Sequence, residues 1–268
     1  MDTTTQSNQS GQPSPTDGKG CSDLAIAVAD LQVPPDNHPN SDEPQRLNVT
    51  AATTAERPES SERIDAEAIA DQRKRDDAWK HCGLPTRHRD RVDAKPGPWA
   101  DKLADLVAME GSGFIVALLG NRGTGKTQMA AEMIRHRMRH ADKYQCQYVR
   151  AMDVFLQLKA SYGQDGPREI DVLNGFAKPH LLVIDEAHER GATDWEDRML
   201  TYLIDKRYGA MKDTVLISNV GEGTERAIQE QFRTMIGESI YSRLIETGGV
   251  VTCGWESFRA NTMKGETT

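Results

Sequence analysis

The clearest chemical signal in the sequence is a glycine-rich segment that directly follows the apolar run 114–119. It reads Gly120-Asn121-Arg122-Gly123-Thr124-Gly125-Lys126-Thr127. In this G-x-x-x-x-G-K-[ST] pattern the glycines permit a tight loop whose backbone N–H groups converge on phosphate oxygens, and the following helix adds about half a positive charge. We expect Lys126 to reach the β- and γ-phosphates of a nucleotide and Thr127 to supply a hydroxyl ligand to Mg²⁺.

Two acidic residues, Asp185 and Glu186, end a second apolar run that covers 181–184. Burial in a sheet explains the apolar residues but not the acids, unless the strand simply ends in solvent. We expect Asp185 to hold the Mg²⁺ through its water shell, and Glu186 to orient or deprotonate the water that attacks the γ-phosphate. A carboxylate at this position favours ATP hydrolysis, because a kinase must keep water away from the γ-phosphate.

A third strand-like run, 214–218, ends in the amide of Asn219. An amide can hydrogen-bond the γ-phosphate or the attacking water without adding charge. An asparagine after a strand is also a common turn residue. We assign Asn219 to the same site because open parallel sheets bind ligands at the carboxyl ends of their strands.

The elements that must position these side chains alternate along the chain. Short apolar runs predict strands, and the longer segments between them predict helices. Strands are expected near 113–119, 145–150, 181–185, 214–219 and 249–253, and helices near 98–110, 126–140, 151–161, 194–210, 224–232 and 235–246. Apolar strands separated by helices indicate a parallel sheet covered on both faces. The sequence therefore predicts an α/β fold of three layers around about five parallel strands.

The first part of the chain differs in composition from the rest. Residues 1–70 contain no Phe, Trp or Tyr and hold 12 acidic against 4 basic residues, which accounts for the whole formal charge of −8. So polar a stretch cannot bury enough apolar surface to offset the entropy of ordering. We predict a disordered acidic tail over 1–62, a helical linker over 63–97 with a helix near 61–80, and an ATP-binding domain over 98–268.

Several classes of protein are excluded by features that the sequence lacks. Its longest apolar runs are far shorter than the roughly 20 residues that span a bilayer, so no membrane-spanning helix is expected. The N-terminus shows no basic or apolar signal region, which predicts a cytoplasmic protein. The cysteines form no C-x-x-C pair, so neither a disulfide framework nor a four-cysteine zinc site is expected.

The order of these segments resembles that of a known family. Cys82-Gly83-Leu84-Pro85-Thr86-Arg87-His88 looks like the "GIP-x-R" segment of helicase loaders, and the glycine-rich loop, the acid pair and Asn219 follow it. Next come Ser242-Arg243-Leu244-Ile245-Glu246 and Trp255-Glu256-Ser257-Phe258-Arg259. Over residues 82–260 the chain resembles the AAA+ ATPases of the DnaC-type helicase loader group, to which the transposition helper ATPase IstB is closely related.

The resemblance implies roles for three of these residues. Asn219 matches the sensor-1 position, and Arg259 matches the sensor-2 arginine that contacts the γ-phosphate within the same subunit. Arg243 matches the arginine finger, which acts in a neighbouring subunit and can raise the rate about 10³- to 10⁵-fold. The resemblance therefore implies a P-loop NTPase with a shortened C-terminal lid that forms a homo-oligomer when ATP is bound. The alternative for Arg243 is a solvated helix residue or a salt-bridge partner.

The resemblance also implies two partners, a replicative helicase and single-stranded DNA. Charge adds little support for DNA, because residues 71–268 hold equal numbers of acidic and basic residues. Two basic pairs, Arg135 with Arg139 and Lys206 with Arg207, are interpreted as solvated helix faces, and His188 is interpreted as a local polar contact.

Three functions stay open at this point. The first is an ATP-dependent helicase loader, the second an IstB-like transposition helper ATPase that binds duplex DNA, and the third a nucleotide-gated adaptor that does not hydrolyse ATP. The acidic tail favours the first function, because it suits a protein partner better than duplex DNA.

Overall fold

The computed structural model describes residues 59–90, 95–162, 168–189, 191, 193–221 and 223–259, with side chains from residue 66 onward. Residues 1–58 of the predicted tail therefore lie outside the described residues. The elements are α1 (Glu59–His81), α2 (Thr86–Arg89), α3 (Pro98–Ala108), β1 (Ile115–Leu119), α4 (Lys126–His140), β2 (Cys146–Arg150), α5 (Ala151–Ala160), α6 (Glu169–Ala177), β3 (Leu181–Asp185), α7 (Asp194–Gly209), β4 (Asp213–Ser218), α8 (Glu225–Ile236), α9 (Glu238–Thr247) and β5 (Gly249–Thr252). None of these helices is long and apolar enough to cross a membrane.

The strands form one parallel sheet in the order β2-β3-β4-β1-β5. Every residue of β1, β3 and β4 is buried, and this includes the polar residues at the ends of β3 and β4 as well as the apolar residues between them. The predicted strands are confirmed to within two residues at each end. Because all of the strands run in the same direction, their carboxyl ends share one edge of the sheet. The residues after β1, β3 and β4 are thereby brought together.

Helices cover both faces of this sheet. On one face, Ile115 and Leu119 of β1 belong to a core built with helices α5 to α9. On the other face, Val116 packs in a core with Met129 of α4 and Trp99 of α3. Successive strand residues thus bury their side chains on opposite faces, as a parallel sheet between two helical layers requires. The three-layer α/β fold predicted from the sequence is confirmed.

Helix α6 is an element that the sequence pattern does not indicate. Leu173 and Phe176 are its two buried residues, and both belong to the core. Their packing outweighs the low helix propensity of Asn174 and Gly175 within the helix. The end of α8 also differs from expectation, because the chain breaks at Gly237 (φ 89°) and not near residue 232.

Two arginines that the sequence assigns to solvated helix faces are buried instead. Arg135 donates to both carboxylate oxygens of Glu132 at 2.7 Å. Arg207 is fully buried and donates to the carbonyl oxygens of Pro179 at 2.9 Å and Asp213 at 2.5 Å. A charged side chain can be buried where acceptors satisfy its donors, and here they include Glu132 in the same helix as Arg135 and the more distant Pro179 for Arg207. The local charge pattern therefore gives the wrong prediction at both positions.

Candidate nucleotide-binding site

The loop between β1 and α4 has the backbone shape that an anion site needs. Gly123 and Gly125 have φ angles of 88° and 80°, in the left-handed region that favours glycine. Gly125 precedes the first residue of α4, and no side chain caps that end of the helix. The first N–H groups of a helix lack intrahelical partners and, with the helix dipole, attract anions. The start of α4 is therefore suited to bind phosphate.

Lys126, the first residue of α4, is folded back onto this loop. Its ammonium group donates to the carbonyl oxygens of Gly120 at 2.7 Å and of Asn121 at 2.8 Å, and its side chain is buried. Burial lowers the pKa of Lys126, and the nearby charge of Asp185 acts in the opposite direction. An ammonium group has three donors, so one N–H remains for a phosphate oxygen.

Thr127 and the acids at the end of β3 meet beside the loop. The Thr127 hydroxyl donates to Asp185 Oδ2 at 2.8 Å, and the backbone N–H of Glu186 donates to Asp185 Oδ1 at 2.7 Å. Glu186 has a φ of 55°, a costly conformation for a residue other than glycine and one that clusters at functional sites. Burial raises the pKa of Glu186, and the charges of Glu189 and Asp185 raise it further. A carboxylate with increased proton affinity therefore stands next to a hydroxyl–carboxylate pair.

Asn219 follows β4 and lines the same cavity as these residues. Its backbone N–H donates to His188 Nδ1 at 3.3 Å, which is the local polar contact predicted for His188. Burial lowers the pKa of His188 and so favours the neutral ring that accepts this hydrogen bond. The ends of three neighbouring strands thus contribute to one site.

The C-terminal segment 255–259 packs directly on the glycine-rich loop. Trp255 Nε1 donates to the Thr124 carbonyl at 2.8 Å, and the Phe258 N–H donates to the Gly123 carbonyl at 3.0 Å. A Cβ atom on Gly123 would lie 2.1 Å from the Ser257 hydroxyl, so only glycine fits this close approach. The segment singled out by the family resemblance therefore holds the loop in shape.

These elements surround a cavity of about 510 Å³, a size typical of small-molecule sites. It is lined by Arg87, His88, Lys95, Arg122, Gly123, Gly125, Lys126, Thr127, Gln128, Asp185, Glu186, Asn219, Phe258 and Arg259. Lysine and arginine side chains outnumber carboxylates in this lining. The resulting positive bias suits a polyanion such as a triphosphate.

The structure brings most of the predicted site residues together. Nine of them line the cavity, namely Arg122, Gly123, Gly125, Lys126, Thr127, Asp185, Glu186, Asn219 and Arg259. Gly120 and Asn121 instead provide the carbonyl oxygens that hold Lys126. Thr124 is buried, and its hydroxyl donates to the Asn121 carbonyl at 3.0 Å. These three residues shape the loop and do not face the cavity.

Arg243 lies on α9 and is not part of this cavity. Its Nε lies 3.0 Å from Asp205 Oδ1, and its guanidinium donates to the Ser239 carbonyl at 2.6 Å. The guanidinium also stacks on the Tyr208 ring at 5.5 Å from its centroid. These contacts match the salt-bridge alternative for Arg243. A role in a neighbouring subunit's site stays a prediction.

Three further residues take part in the site or support it. The Tyr148 hydroxyl donates to Asp185 Oδ2 at 2.7 Å, and Trp99 Nε1 donates to a loop carbonyl at 3.2 Å. His88 Nδ1 lies 3.2 Å from Gln128 Oε1 at the rim of the cavity. His88 belongs to the segment that looks like "GIP-x-R", which is a usable signal. Tyr148, within a strand, and Trp99, at the start of a helix, have no sequence signal that indicates a role in the site.

The donors and acceptors at this site fit a nucleotide and a divalent cation. The Thr127 hydroxyl and the Asp185 carboxylate lie within 2.8 Å of each other, and oxygen ligands of this kind are those that Mg²⁺ prefers. These two residues would hold the cation. The loop 120–127 and its lysine would hold the phosphate chain.

Comparisons with known proteins agree with this chemistry. Residues 99–265, more than half of the chain, match the sequence profile of the IstB-like ATP binding proteins. The chain is 30% identical over 149 residues to the uncharacterised protein YdaV of Escherichia coli strain K12, which covers 55% of this chain and 56% of YdaV. It is 22% identical over 142 residues to the replicative helicase loader DnaC of the same strain, and this match covers 53% of this chain and 54% of DnaC. The chain thus spans about half the length of the curated relatives it matches.

A solved structure extends the comparison to the fold. The crystal structure of the DnaC helicase loader matches with a TM-score of 0.51 at 17% sequence identity, over 65% of this chain and 97% of that chain. At this identity the likeness shows the fold alone. The predicted α/β fold with a parallel sheet of five strands is confirmed.

Proposed function

Because the chain belongs to the IstB-like ATP binding protein family, we propose that it is an ATPase that binds ATP and Mg²⁺ in this cavity. We propose further that its ATP cycle places a replicative helicase on single-stranded DNA. The name of the DnaC relative, a replicative helicase loader, supports this choice of partner. Bacterial replication takes place in the cytoplasm, so we expect the protein there.

One observation carries the ATPase proposal, and it is the arrangement around Asp185. The Asp185 carboxylate accepts the Thr127 hydroxyl at 2.8 Å, while Glu186 lines the cavity that Lys126 also lines. When bound, Mg²⁺ would neutralise charge on the β- and γ-phosphates. Thr127 and Asp185 would hold it, and Lys126 would direct its remaining N–H to a phosphate oxygen.

Glu186 is the proposed general base. Its raised pKa makes it a stronger base than an ordinary carboxylate, and such groups contribute about 10²- to 10⁴-fold to a rate. Asn219 would orient the attacking water through its amide, and Arg259 would stabilise negative charge on the γ-phosphate, since both line the cavity. This set of groups favours water as the nucleophile.

We also propose that ATP-bound subunits assemble and that Arg243 completes the site of a neighbour. The Arg243 side chain is 27% exposed and lies outside its own subunit's cavity, as a residue that acts across a boundary must. Hydrolysis by the isolated chain should then be weak. It should rise when DNA and the helicase bring subunits together.

A transposition helper ATPase is the second candidate. The family profile favours it, because that profile is described as IstB-like. This candidate shares the ATP site and differs in its partners, which would be duplex DNA and a transposase. A nucleotide-gated adaptor without hydrolysis has less support, because binding alone needs no carboxylate such as Glu186 in the cavity.

Phosphate release by the purified full chain tests the proposal. It is measured alone, with single-stranded DNA, with duplex DNA and with a bacterial replicative helicase, and Glu186→Gln is the control that keeps the side chain's shape. We expect release that single-stranded DNA and helicase stimulate and that the variant lacks. Stimulation by duplex DNA alone, with a transposase that copurifies, would favour the second candidate. No release under any condition would contradict an ATPase.

A further inference from the structure

Tyr148 contacts the key carboxylate of the site from a strand that carries none of the predicted residues. It lies in the middle of β2, is 7% exposed, and donates its hydroxyl to Asp185 Oδ2 at 2.7 Å. A buried phenol needs such a partner, because an unsatisfied hydroxyl in the core is costly. The core packing of the ring requires only an aromatic side chain, so the hydroxyl serves Asp185.

The register of the sheet explains how Tyr148 reaches Asp185. Tyr148 is paired with Val183 and Arg150 is paired with Asp185. Paired residues point to the same face of a sheet, so Tyr148 lies on the face of Asp185 but two residues behind it, roughly 6.6 Å along the strand. A tyrosine side chain bridges this step, and a shorter polar side chain would not.

The hydrogen bonds of Asp185 divide into two kinds. Oδ1 accepts the N–H of Glu186, which fixes the carboxylate relative to its own backbone. Oδ2 accepts hydroxyls from both Thr127 and Tyr148. Thr127 is the proposed Mg²⁺ ligand, and its hydroxyl can bind the cation through a lone pair while it donates to Asp185. Tyr148 has no other role in the site and can keep its bond throughout.

The backbone of Tyr148 is held from outside the sheet by the segment that follows α1. Its N–H donates to the Cys82 carbonyl at 2.6 Å. A Cβ atom on Gly83 would lie only 2.3 Å from the Tyr148 carbonyl oxygen, and Gly83 has a φ of 84°. The close approach fixes this edge of the sheet and with it the origin of the tyrosine side chain.

We propose that Tyr148 is a positioning residue that holds the Asp185 carboxylate in place for a divalent cation. The inference rests on the proposed function, since it assigns Asp185 to Mg²⁺. Partners of a metal-binding carboxylate fix its orientation, and their loss commonly weakens metal affinity about 10- to 100-fold. Tyr148 and Thr127 donate to the same oxygen of Asp185, but only Thr127 is also a proposed ligand of the cation.

Tyr148→Phe tests this role, because it removes one oxygen atom and keeps the ring in the core. Binding of a fluorescent ATP derivative to the full chain is followed while Mg²⁺ is titrated. We expect the half-saturating Mg²⁺ concentration to rise about tenfold, with the affinity at saturating Mg²⁺ unchanged. Tyr162→Phe is the matched control, because its hydroxyl also donates to a carboxylate, that of Glu169 at 3.3 Å, on the exposed surface. It should behave as wild type.

Two outcomes would overturn the inference. One is a wild-type Mg²⁺ dependence in Tyr148→Phe. The other is an affinity reduced by the same factor at every Mg²⁺ concentration, which would mean that the hydroxyl supports the fold of the loop and not the cation site. If the wild-type chain itself shows no Mg²⁺-dependent binding, the proposed ATPase function fails first.

Discussion

Asp213 and Asp185 lie at opposite ends of neighbouring strands in the same sheet, in contrasting surroundings. Asp213, at the amino end of β4, accepts the N–H groups of Gly111 at 2.6 Å and Gly113 at 2.8 Å and forms an ion pair with Arg137. Asp185, at the carboxyl end of β3, accepts its hydrogen bonds in the described part of the chain from two hydroxyls and one N–H.

This difference distinguishes an aspartate that stabilises the fold from an aspartate that belongs to the proposed site. The negative charge of Asp213 is matched by a buried cation, and removing one partner of such a pair is strongly destabilising. Asp185 is hydrogen-bonded by neutral donors, and the nearby cation Lys126 donates to loop carbonyls and not to this carboxylate. The charge of Asp185 therefore stays available to a ligand. A buried charge that the protein itself balances supports the fold, whereas a buried charge held only by neutral groups points to function.

Arg243 is the strongest challenge to this rule, because it forms an ion pair with Asp205 in its own chain although we propose that it acts in a neighbour. Arg243→Ala should keep ATP binding and lower turnover of the assembled protein about 10³-fold or more. Mixing it with Lys126→Ala should restore part of the activity, since some interfaces then join an intact arginine to an intact loop. Phosphate release across mixing ratios measures the effect. No recovery at any ratio would assign Arg243 to its ion pair with Asp205.

Glu186→Gln tests whether the carboxylate next to Asp185 activates the attacking water. The variant keeps the size and shape of the side chain but removes the proposed base. We expect turnover to fall about 10²- to 10⁴-fold while ATP binding is retained. Single-turnover hydrolysis and equilibrium binding measure the two quantities separately. Hydrolysis at wild-type speed would show that the carboxylate does not activate water.

Exchange of each aspartate for asparagine tests the comparison directly. Asp213→Asn leaves Arg137 buried without its counter-charge, so the free energy of unfolding should fall by about 3–5 kcal/mol. Asp185→Asn disturbs hydrogen bonds with neutral donors and a weaker attraction to Lys126, so the loss should be smaller, about 1–3 kcal/mol. Urea denaturation followed by circular dichroism gives both values. Equal losses of unfolding free energy in the two variants would show that Asp185 stabilises the fold as much as Asp213 does.

Glu189→Gln should produce the smallest effect, a shift in the pH dependence of turnover. After burial, the charge of Glu189 is the main cause of the raised pKa of Glu186. A base acts only when deprotonated, so turnover falls as the pH drops through its pKa. Removing the neighbouring charge lowers that pKa, and the acidic limb of the pH–rate profile should move to lower pH. A shift to higher pH, or no shift, would contradict the assignment of Glu186 as the base.

Much of the fold follows from local patterns in the sequence. Apolar runs define the strands, and the loop 120–127 is specific enough in its residues and its setting to predict a phosphate site. Asp185, Glu186 and Asn219 become meaningful once parallel strands bring their positions to one edge. Local information was sufficient here because each of these signals lies within a few residues.

Tyr148, Arg135 and Arg207 show where local patterns fail. Each has at least one partner that lies far away in sequence, such as Asp185 for Tyr148 and Arg89 for Arg135. Hydrogen bonds formed across the fold decide whether a polar side chain is buried or exposed. Sequence periodicity does not report them.

Binding of ATP in the presence of Mg²⁺ decides whether the cavity beside the loop 120–127 is a nucleotide site. Isothermal titration of the wild-type chain and of Lys126→Ala compares the site with and without the ammonium group that lies on the loop. We predict that the wild type binds ATP with Mg²⁺ and that the variant, still folded by circular dichroism, binds about 10- to 100-fold more weakly. If the wild-type chain does not bind ATP with Mg²⁺, or if the variant binds it equally well, then the cavity that Lys126 lines is not the ATP site.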